Sequence, residues 1–584
     1  MHRSPGRAVV YSRVIKSLKY ANQDSIMTTP REQAFKELTA PGMHYELAQG
    51  SVYGRLCPVF KNITTLRDLF ESTRSDREFL VYADERYTFE DTWQRASQIG
   101  SLLIERFDVK KGDRVAVSMR NFPEWVMCFN AITSIGAVAV AMNSLWLTEE
   151  MEYGLTDSGA KVLFADQERL DRLAPVQNKL DVQVVAVREQ KPLGERVASL
   201  EALLAEQPIC DMPEQHPDIN DRATILYTSG STGHPKGAVS SHLNVMSALW
   251  SWELDGQIGA RLAGNPTPQI PNHQVAVLLG VPLFHATGSH AVMLSSYKRQ
   301  RKIVSMYKWD SEEAARLIEE EKIASFVAPA AMTGDLIEVA NRTHRDLSSL
   351  VSVGGGGAPR APEQVRSIKR TFSRAMPGTG WGMTETNAIG TGIGGQDYLD
   401  RPGSSGRCAS IMSIRILDED GREVPSGERG ELQIAGSTII EGYWQRPDAN
   451  AEAFDGDWLR TGDVAYVDED GFLFIVDRIK DLVIRGGENI GCAEVEAALM
   501  EHDAVAEASV YAVPDKRLGE EVGATIYAPD GIDEEELRGF LAEQVARFKI
   551  PRYITLSNEP LPRIASGKIN KRQMRDEASA RLTA

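Results

Sequence analysis

The chain has 584 residues, 42% hydrophobic and 25% charged, with a formal net charge of −17. That length exceeds one compact core, so two or more domains are expected in an ordinary soluble globular protein. The acidic balance and the lack of a long basic run argue against a nucleic-acid partner, and any polyanionic ligand must be held by a local positive site.

The N-terminal stretch carries Arg3, Arg7, Arg13, Lys16 and Lys19, with no acid before Asp24. It lacks the apolar core of a secretory signal, and residues 1–42 are expected to be a disordered tail. Five scattered cysteines (Cys57, Cys128, Cys210, Cys408 and Cys492) form no C-x-x-C pair. Their odd number and spacing argue for a reducing compartment, here the cytoplasm, and against disulfides or a zinc site. The apolar stretch 126–142 is broken by Asn130, Thr133 and Ser134 and is too short to span a bilayer.

From about Leu66, strand and helix patterns alternate. Thr88 and Asp91 make a capping box for a helix whose apolar face is Trp93, Ala96, Ile99 and Leu103. Residues 114–119 (RVAVSM) and 161–165 (KVLFA) read as strands, with a buried helix over 124–139 between them. The same alternation continues through a strand at 275–279, a helix at 311–321 and strands at 326–327 and 350–353. This is βαβ grammar: an α/β fold with mostly parallel sheets covered by helices.

After about Ser410 short strands alternate with turns such as Asp420-Gly421 and Asp470-Gly471, which suggests a small β-barrel-like subdomain. Beyond Lys480 a compact α+β pattern begins: a helix at 493–500, strands at 505–512 and 522–527, and a helix at 533–547. The expected organisation is a large domain over 43–479, then a small domain over 480–584.

Residues 227–239 read YTSGSTGHPKGAV. Glycines let backbone N–H groups converge on one point, and the hydroxyls of Thr228, Ser229, Ser231 and Thr232 add donors. Lys236 brings a mobile positive charge beside Gly230 and Gly233, so the loop suits a triphosphate. It is not a Walker loop, which needs Gly-Lys-Ser/Thr opening a helix, whereas Lys236 stands between Pro235 and Gly237. Apolar strands on both sides also argue against a flexible linker.

Residues 380–386 read GWGMTET. Between Gly380 and Gly382, Trp381 offers a flat face for a purine. Thr384 can bond a phosphate, and Glu385 can ligate Mg²⁺, a hard cation that takes oxygen ligands. The glycines of residues 354–360 (GGGGAPR) allow a backbone to approach a flat ligand.

In this order the motifs resemble those of the adenylate-forming, AMP-binding superfamily, in its acyl-CoA synthetase branch. The resemblance runs over roughly residues 64–575. It implies that Gly356, Ala358 and Pro359 border the adenine and the acyl pocket. Asp463, in WLRTGD, would accept both ribose hydroxyls, and Arg478 would be a second contact to the ribose or phosphate. Lys480 would be the hinge between the domains.

RGGEN at residues 485–489 resembles the segment that meets the pantetheine arm of CoA, through Gly486, Gly487 and Glu488. Cys492 stands where the family often has proline, and is expected to pack rather than react. Lys568, in PRIASGK, resembles the catalytic lysine. His285, in VPLFHATG, resembles a gate between carboxylate and thiol.

The implied reaction is ATP-dependent ligation of a carboxylic acid to CoA through an acyl-adenylate, with Mg²⁺, AMP and pyrophosphate. The alternative is a fatty-acyl-AMP ligase that passes the adenylate to a carrier-protein thiol. A luciferase-like oxidation is neither demanded nor forbidden, and a pseudoenzyme should have lost Lys236, Glu385, Asp463, Arg478 or Lys568. His285 cannot hold an amino acid's ammonium, and residues 386–390 offer no counter-charge. A hydrophobic monocarboxylate, a medium- or long-chain fatty acid or an aryl acid, is therefore expected. Expected partners are this acid, ATP and CoA, and a homodimer is compatible with the chain.

Overall fold

In the computed structural model, residues 29–228, 234–264, 274–357, 360–486, 488–563 and 569–583 are described. Two large sheets carry the bulk of the molecule. The first runs in the order Gly442–Tyr443, Lys236–Ser241, Arg222–Thr228, Val138–Ala141, Arg114–Ser118, Val162–Asp166, Gln183–Val187 and Val197–Ser199. From Arg222–Thr228 to Val197–Ser199 every pairing is parallel. Its central strands are apolar almost throughout, as required when helices cover both faces.

The second sheet begins with an antiparallel edge strand, Glu85–Thr88, beside Glu78–Tyr82. A parallel run follows through Lys302–Ser305, Ala276–Leu279, Ile323–Val327, Ser352–Gly354 and Met376–Thr379. At Gly378↔Gly394 it turns antiparallel and continues through Thr391–Gly394, Gly406–Cys408, Phe472–Arg478, Trp458–Val467, Gly430–Gly436 and Met412–Leu417. The turn-rich strands expected as a barrel-like subdomain are thus hydrogen-bonded onto the parallel sheet.

The helix Phe89–Glu105 starts where Thr88 and Asp91 cap each other, and Trp93, Ala96, Ile99 and Leu103 are buried. Ile99 and Leu103 each contribute roughly 1.5–3 kcal/mol on burial. The helix expected over 124–139 is shorter. It spans Pro123–Ser134, and the strand Val138–Ala141 follows. Gly136 adopts φ +72°, a left-handed turn that breaks the helix inside one apolar run.

A second correction concerns the tail. Residues 30–38 form the helix Pro30–Leu38, closed by a Thr29–Glu32 capping box, with Ala34 and Leu38 buried. Arg31 pairs with Asp255 at 3.1 Å and Glu37 with Arg261 at 2.5 Å, which ties this helix to His242–Leu262.

A five-stranded sheet forms beyond the second large sheet, from Val483–Arg485, Glu488–Ile490, Gly519–Tyr527, Glu507–Asp515 and Tyr553–Ser557. The helices Cys492–Leu499, Glu534–Gln544 and Lys571–Thr583 accompany it. Its own core includes Val495, Val510, Val522, Ile526, Leu537 and Leu541. The Ala493 N–H donates to Asp477 Oδ2 at 3.2 Å, and Arg366 lies 3.6 Å from Glu501. No helix among the described residues is long and apolar enough to cross a membrane.

Two buried imidazoles give the fold a pH signature. His242 accepts the Leu66 N–H on Nδ1, and His290 meets Asn387 Oδ1 at 3.2 Å. Burial lowers each pKa to about 4. An unfolded chain binds these protons near pH 6.5, so their stabilisation is complete above pH 6.5 and is lost as pH falls toward 4. Chemical denaturation in that window is expected to take up about two protons on unfolding. His290→Gln should remove about one of them, and an unchanged slope in that variant would contradict the assignment.

Candidate active site

The strands Arg222–Thr228 and Lys236–Ser241 form an antiparallel hairpin in which Thr228 faces Lys236. The Thr228 hydroxyl donates to the Lys236 carbonyl at 3.3 Å. Ser229, Gly230, Ser231, Thr232 and Gly233 lie outside the described residues, and so do Ala358, Pro359, Gly487 and Lys568.

The base of this hairpin is held by a network that sequence reading missed. Tyr227 donates its phenol to Asp157 Oδ2 at 2.7 Å, and Arg446 donates to Asp157 Oδ1 at 2.5 Å. The Tyr153 phenol donates to the Pro235 carbonyl at 3.0 Å, while its ring stacks on His234 at 4.4 Å. Residues on both sides of 229–233 are therefore anchored to the helix Thr148–Ser158 and to Arg446.

Lys236–Ser241 also pairs with Gly442–Tyr443. This places the Tyr443 ring 5.0 Å from Lys236 Nζ, a cation–π distance, and its phenol donates to Glu385 Oε1 at 2.7 Å. Tyr443 thus joins the lysine of one motif to the carboxylate of another, and burial beside Glu385 raises its pKa. Glu385 is itself buried, and its carbonyl accepts the Ile440 N–H at 3.0 Å.

Glu385 sits in the 3₁₀ turn Thr384–Thr386, which Asn387 ends in a left-handed conformation at φ 56°. Asn387 donates to the Thr438 carbonyl at 2.7 Å and contacts His290. Gly382 is dictated by space, since a Cβ there would lie 2.5 Å from the Ala388 carbonyl oxygen.

Asp463 is 2% exposed and faces Arg478 across the Trp458–Val467 and Phe472–Arg478 strands. Arg478 Nε lies 2.6 Å from Oδ1, and the Trp381 indole donates to Oδ2 at 2.8 Å. Burial raises the Asp463 pKa, and the Arg478 charge opposes that shift. The one donor of the Trp381 indole, its N–H, is thus spent on this carboxylate. A charge-assisted bond of this kind contributes about 1.5–3 kcal/mol. Trp381→Phe is expected to raise the KM for ATP roughly tenfold, measured by pyrophosphate release; an unchanged KM would contradict the role given to the indole.

Gly380 lies beside the Thr391 carbonyl, just before Trp381. Gly356 follows the strand Ser352–Gly354, whose Gly354 pairs with Gly378. His285 stands just before the π-helix Thr287–Leu294, and its carbonyl accepts the Ser289 N–H. Lys480 falls in the 3₁₀ turn Ile479–Asp481. Gly486 and Glu488 are exposed at the turn between Val483–Arg485 and Glu488–Ile490. Cys492 is buried, with its thiol donating to the Asp481 carbonyl at 3.0 Å and its pKa raised by burial, as packing requires.

Among the described residues no group of three or more His, Cys, Asp or Glu side chains could hold a metal ion by itself. A magnesium carried on nucleotide phosphates needs only one or two protein carboxylates, and the acceptor capacity of Glu385 fits that requirement.

An AMP-binding enzyme family model matches residues 69–444, and an AMP-binding enzyme C-terminal domain model matches residues 494–568. The chain is 31% identical over 500 residues to the long-chain-fatty-acid–CoA ligase FadD13 of Mycobacterium tuberculosis, covering 85% of this chain and 94% of that protein. It is 33% identical over 470 residues to a feruloyl-CoA synthase of Amycolatopsis, covering 80% and 89%. Among solved structures it resembles the o-succinylbenzoate CoA synthetase MenE of Bacillus subtilis bound to ATP and magnesium. There the TM-score is 0.74 at 28% identity, over 88% of this chain and 99% of that one.

Proposed function

This chain belongs to the AMP-binding enzyme family, and we propose that it is an acid–CoA ligase whose acid has an apolar body, a fatty acid or an aryl acid. ATP, Mg²⁺ and CoA are its co-reactants. The observation that carries the assignment is Tyr443, which contacts the phosphate-loop lysine Lys236 and the acidic Glu385 at once.

In the first step the acid's carboxylate attacks the α-phosphorus of ATP, and pyrophosphate leaves. Lys236 and the hydroxyls of residues 228–232 hold the β- and γ-phosphates, and Thr384 adds a donor beside them. Asp463 accepts the ribose hydroxyls, with Arg478 close enough to reach the ribose or phosphate. Magnesium, when bound, neutralises triphosphate charge, and Glu385 holds it. Lys568 orients the carboxylate and the α-phosphate.

In the second step the CoA thiol attacks the acyl carbonyl and AMP leaves. The domain over 480–584 turns about Lys480 and presents Gly486, Gly487 and Glu488 to the pantetheine arm. Two glycines leave room for a thin arm, and His285 gates the passage between acid and thiol. No protein nucleophile is needed, because the adenylate is already activated.

A panel of fatty, benzoate-like and cinnamate-like acids tests this, with AMP release followed with and without CoA. CoA-dependent turnover with one class is expected. Adenylate formation that CoA does not discharge would favour the carrier-protein alternative, and silence across the panel would contradict the ligase assignment.

A further inference from the structure

The helix Cys492–Leu499 of the small domain starts without a cap of its own. Its N-cap position is Gly491, which has no side chain to accept a backbone N–H. A larger residue would be crowded there, since a Cβ on Gly491 would lie 3.1 Å from the Val476 carbonyl oxygen. Val476 belongs to Phe472–Arg478, a strand of the second large sheet, so the glycine lets the small domain come close to that strand.

The missing acceptor comes from the same strand. Asp477, 7% exposed, accepts the Ala493 N–H on Oδ2 at 3.2 Å, across the turn Ile479–Asp481. Ala493 is the second residue of the helix, where an N-cap side chain ordinarily bonds. Asp477 Oδ1 accepts the Arg478 N–H at 2.7 Å. Asp477 therefore joins the start of a small-domain helix to the residue that pairs with Asp463.

A second element of the small domain acts on the same carboxylate. Burial raises the Asp477 pKa, and the charge of Lys571 opposes that shift. Lys571 opens the helix Lys571–Thr583 and pairs at 2.8 Å with Glu496 of Cys492–Leu499. Lys568 precedes it by three residues, a reach of roughly 10 Å of extended chain. The turn assigned above to the pantetheine arm is instead exposed at Gly486 and Glu488. This orientation thus turns the lysine segment, and not the pantetheine segment, toward the nucleotide cluster.

We propose that Asp477 is a positioning residue, which caps the Cys492–Leu499 helix from the large domain and so holds the small domain in the adenylate-forming orientation. This rests on the ligase function above and gives a part in it to a residue outside the nucleotide contacts. A borrowed cap exists only while the two domains are docked, and it is given up when the small domain turns about Lys480. Loss of an N-cap acceptor shifts such a balance by roughly two- to thirtyfold.

The test follows each half-reaction in Asp477→Ala with an acid that the wild type ligates. The kcat of acid-dependent pyrophosphate exchange into ATP is expected to fall about fivefold. KM for ATP should change little, because Asp463 and Arg478 stay paired. Conversion of supplied acyl-adenylate to thioester should not slow, since that step leaves the docked orientation. Asp477→Asn, which keeps an acceptor oxygen, should lie between. Amide hydrogen exchange reads the cap without turnover. It should quicken at Ala493 in Asp477→Ala and stay unchanged in the strand Gly519–Tyr527, which also checks folding. Equal loss in both half-reactions, loss in neither, or a loss carried by KM for ATP overturns the proposal while the ligase assignment stands. Amide exchange that quickens throughout the small domain, or not at all at Ala493, overturns it too. No turnover of any acid by the wild type overturns both.

Discussion

Lys568→Ala is expected to lower acid-dependent pyrophosphate release by about two to three orders of magnitude, the scale seen when one preorganised donor is removed from a developing charge. The reaction joins two anions, a carboxylate and the α-phosphate, and in the role proposed for Lys568 its positive charge offsets their repulsion in the transition state. No such repulsion exists when a thiol attacks the finished adenylate. Supplied acyl-adenylate should therefore be converted to thioester by Lys568→Ala at close to the wild-type rate.

The described residues on either side of 564–568 are fixed: Arg563 bridges to Ile569, Arg563 pairs with Glu507, and Lys571 sits 2.8 Å from Glu496. Removing the lysine side chain should thus leave the fold intact, and an unchanged melting temperature is the control. Equal loss in both half-reactions would contradict the role.

Asp463→Ala is expected to raise the KM for ATP about a hundredfold, more than Trp381→Phe, because charged hydrogen bonds of about 1.5–3 kcal/mol each are lost together. Asp463 holds Trp381 and Arg478 on its two oxygens, so its loss removes the proposed ribose acceptor and releases the two groups that orient it. Asp463→Asn, which keeps the shape without the charge, should lie between. The discriminating readout is nucleotide choice: 2′-deoxy-ATP should lose most of its disadvantage in Asp463→Ala. A variant that still discriminates against the deoxynucleotide as strongly as the wild type would place the ribose contact elsewhere.

Much of this fold was legible because apolar strands such as Val162–Asp166 recur between capped helices such as Phe89–Glu105. Boundaries failed where one apolar run serves two elements. Residues 124–139 are mostly apolar, and periodicity alone does not reveal that Gly136 divides helix from strand. At the N-terminus, Thr29 and Glu32 form a capping box that carries the helix signal.

The candidate site was read from local motifs, so its long-range partners were missed. Asp157 and Arg446 stand 289 residues apart, and nothing near either one in sequence announces the pair. Tyr443 lies outside every motif and becomes notable only when strand pairing sets it beside Lys236.

The central claim is that this chain activates a carboxylate as an adenylate before any thiol takes part. The most direct measurement is exchange of labelled pyrophosphate into ATP, with Mg²⁺ and a substrate acid present and CoA left out. The account predicts acid-dependent exchange that persists without CoA and is abolished in Lys568→Ala. Exchange that requires CoA, or none with an acid that the enzyme demonstrably ligates, would contradict it.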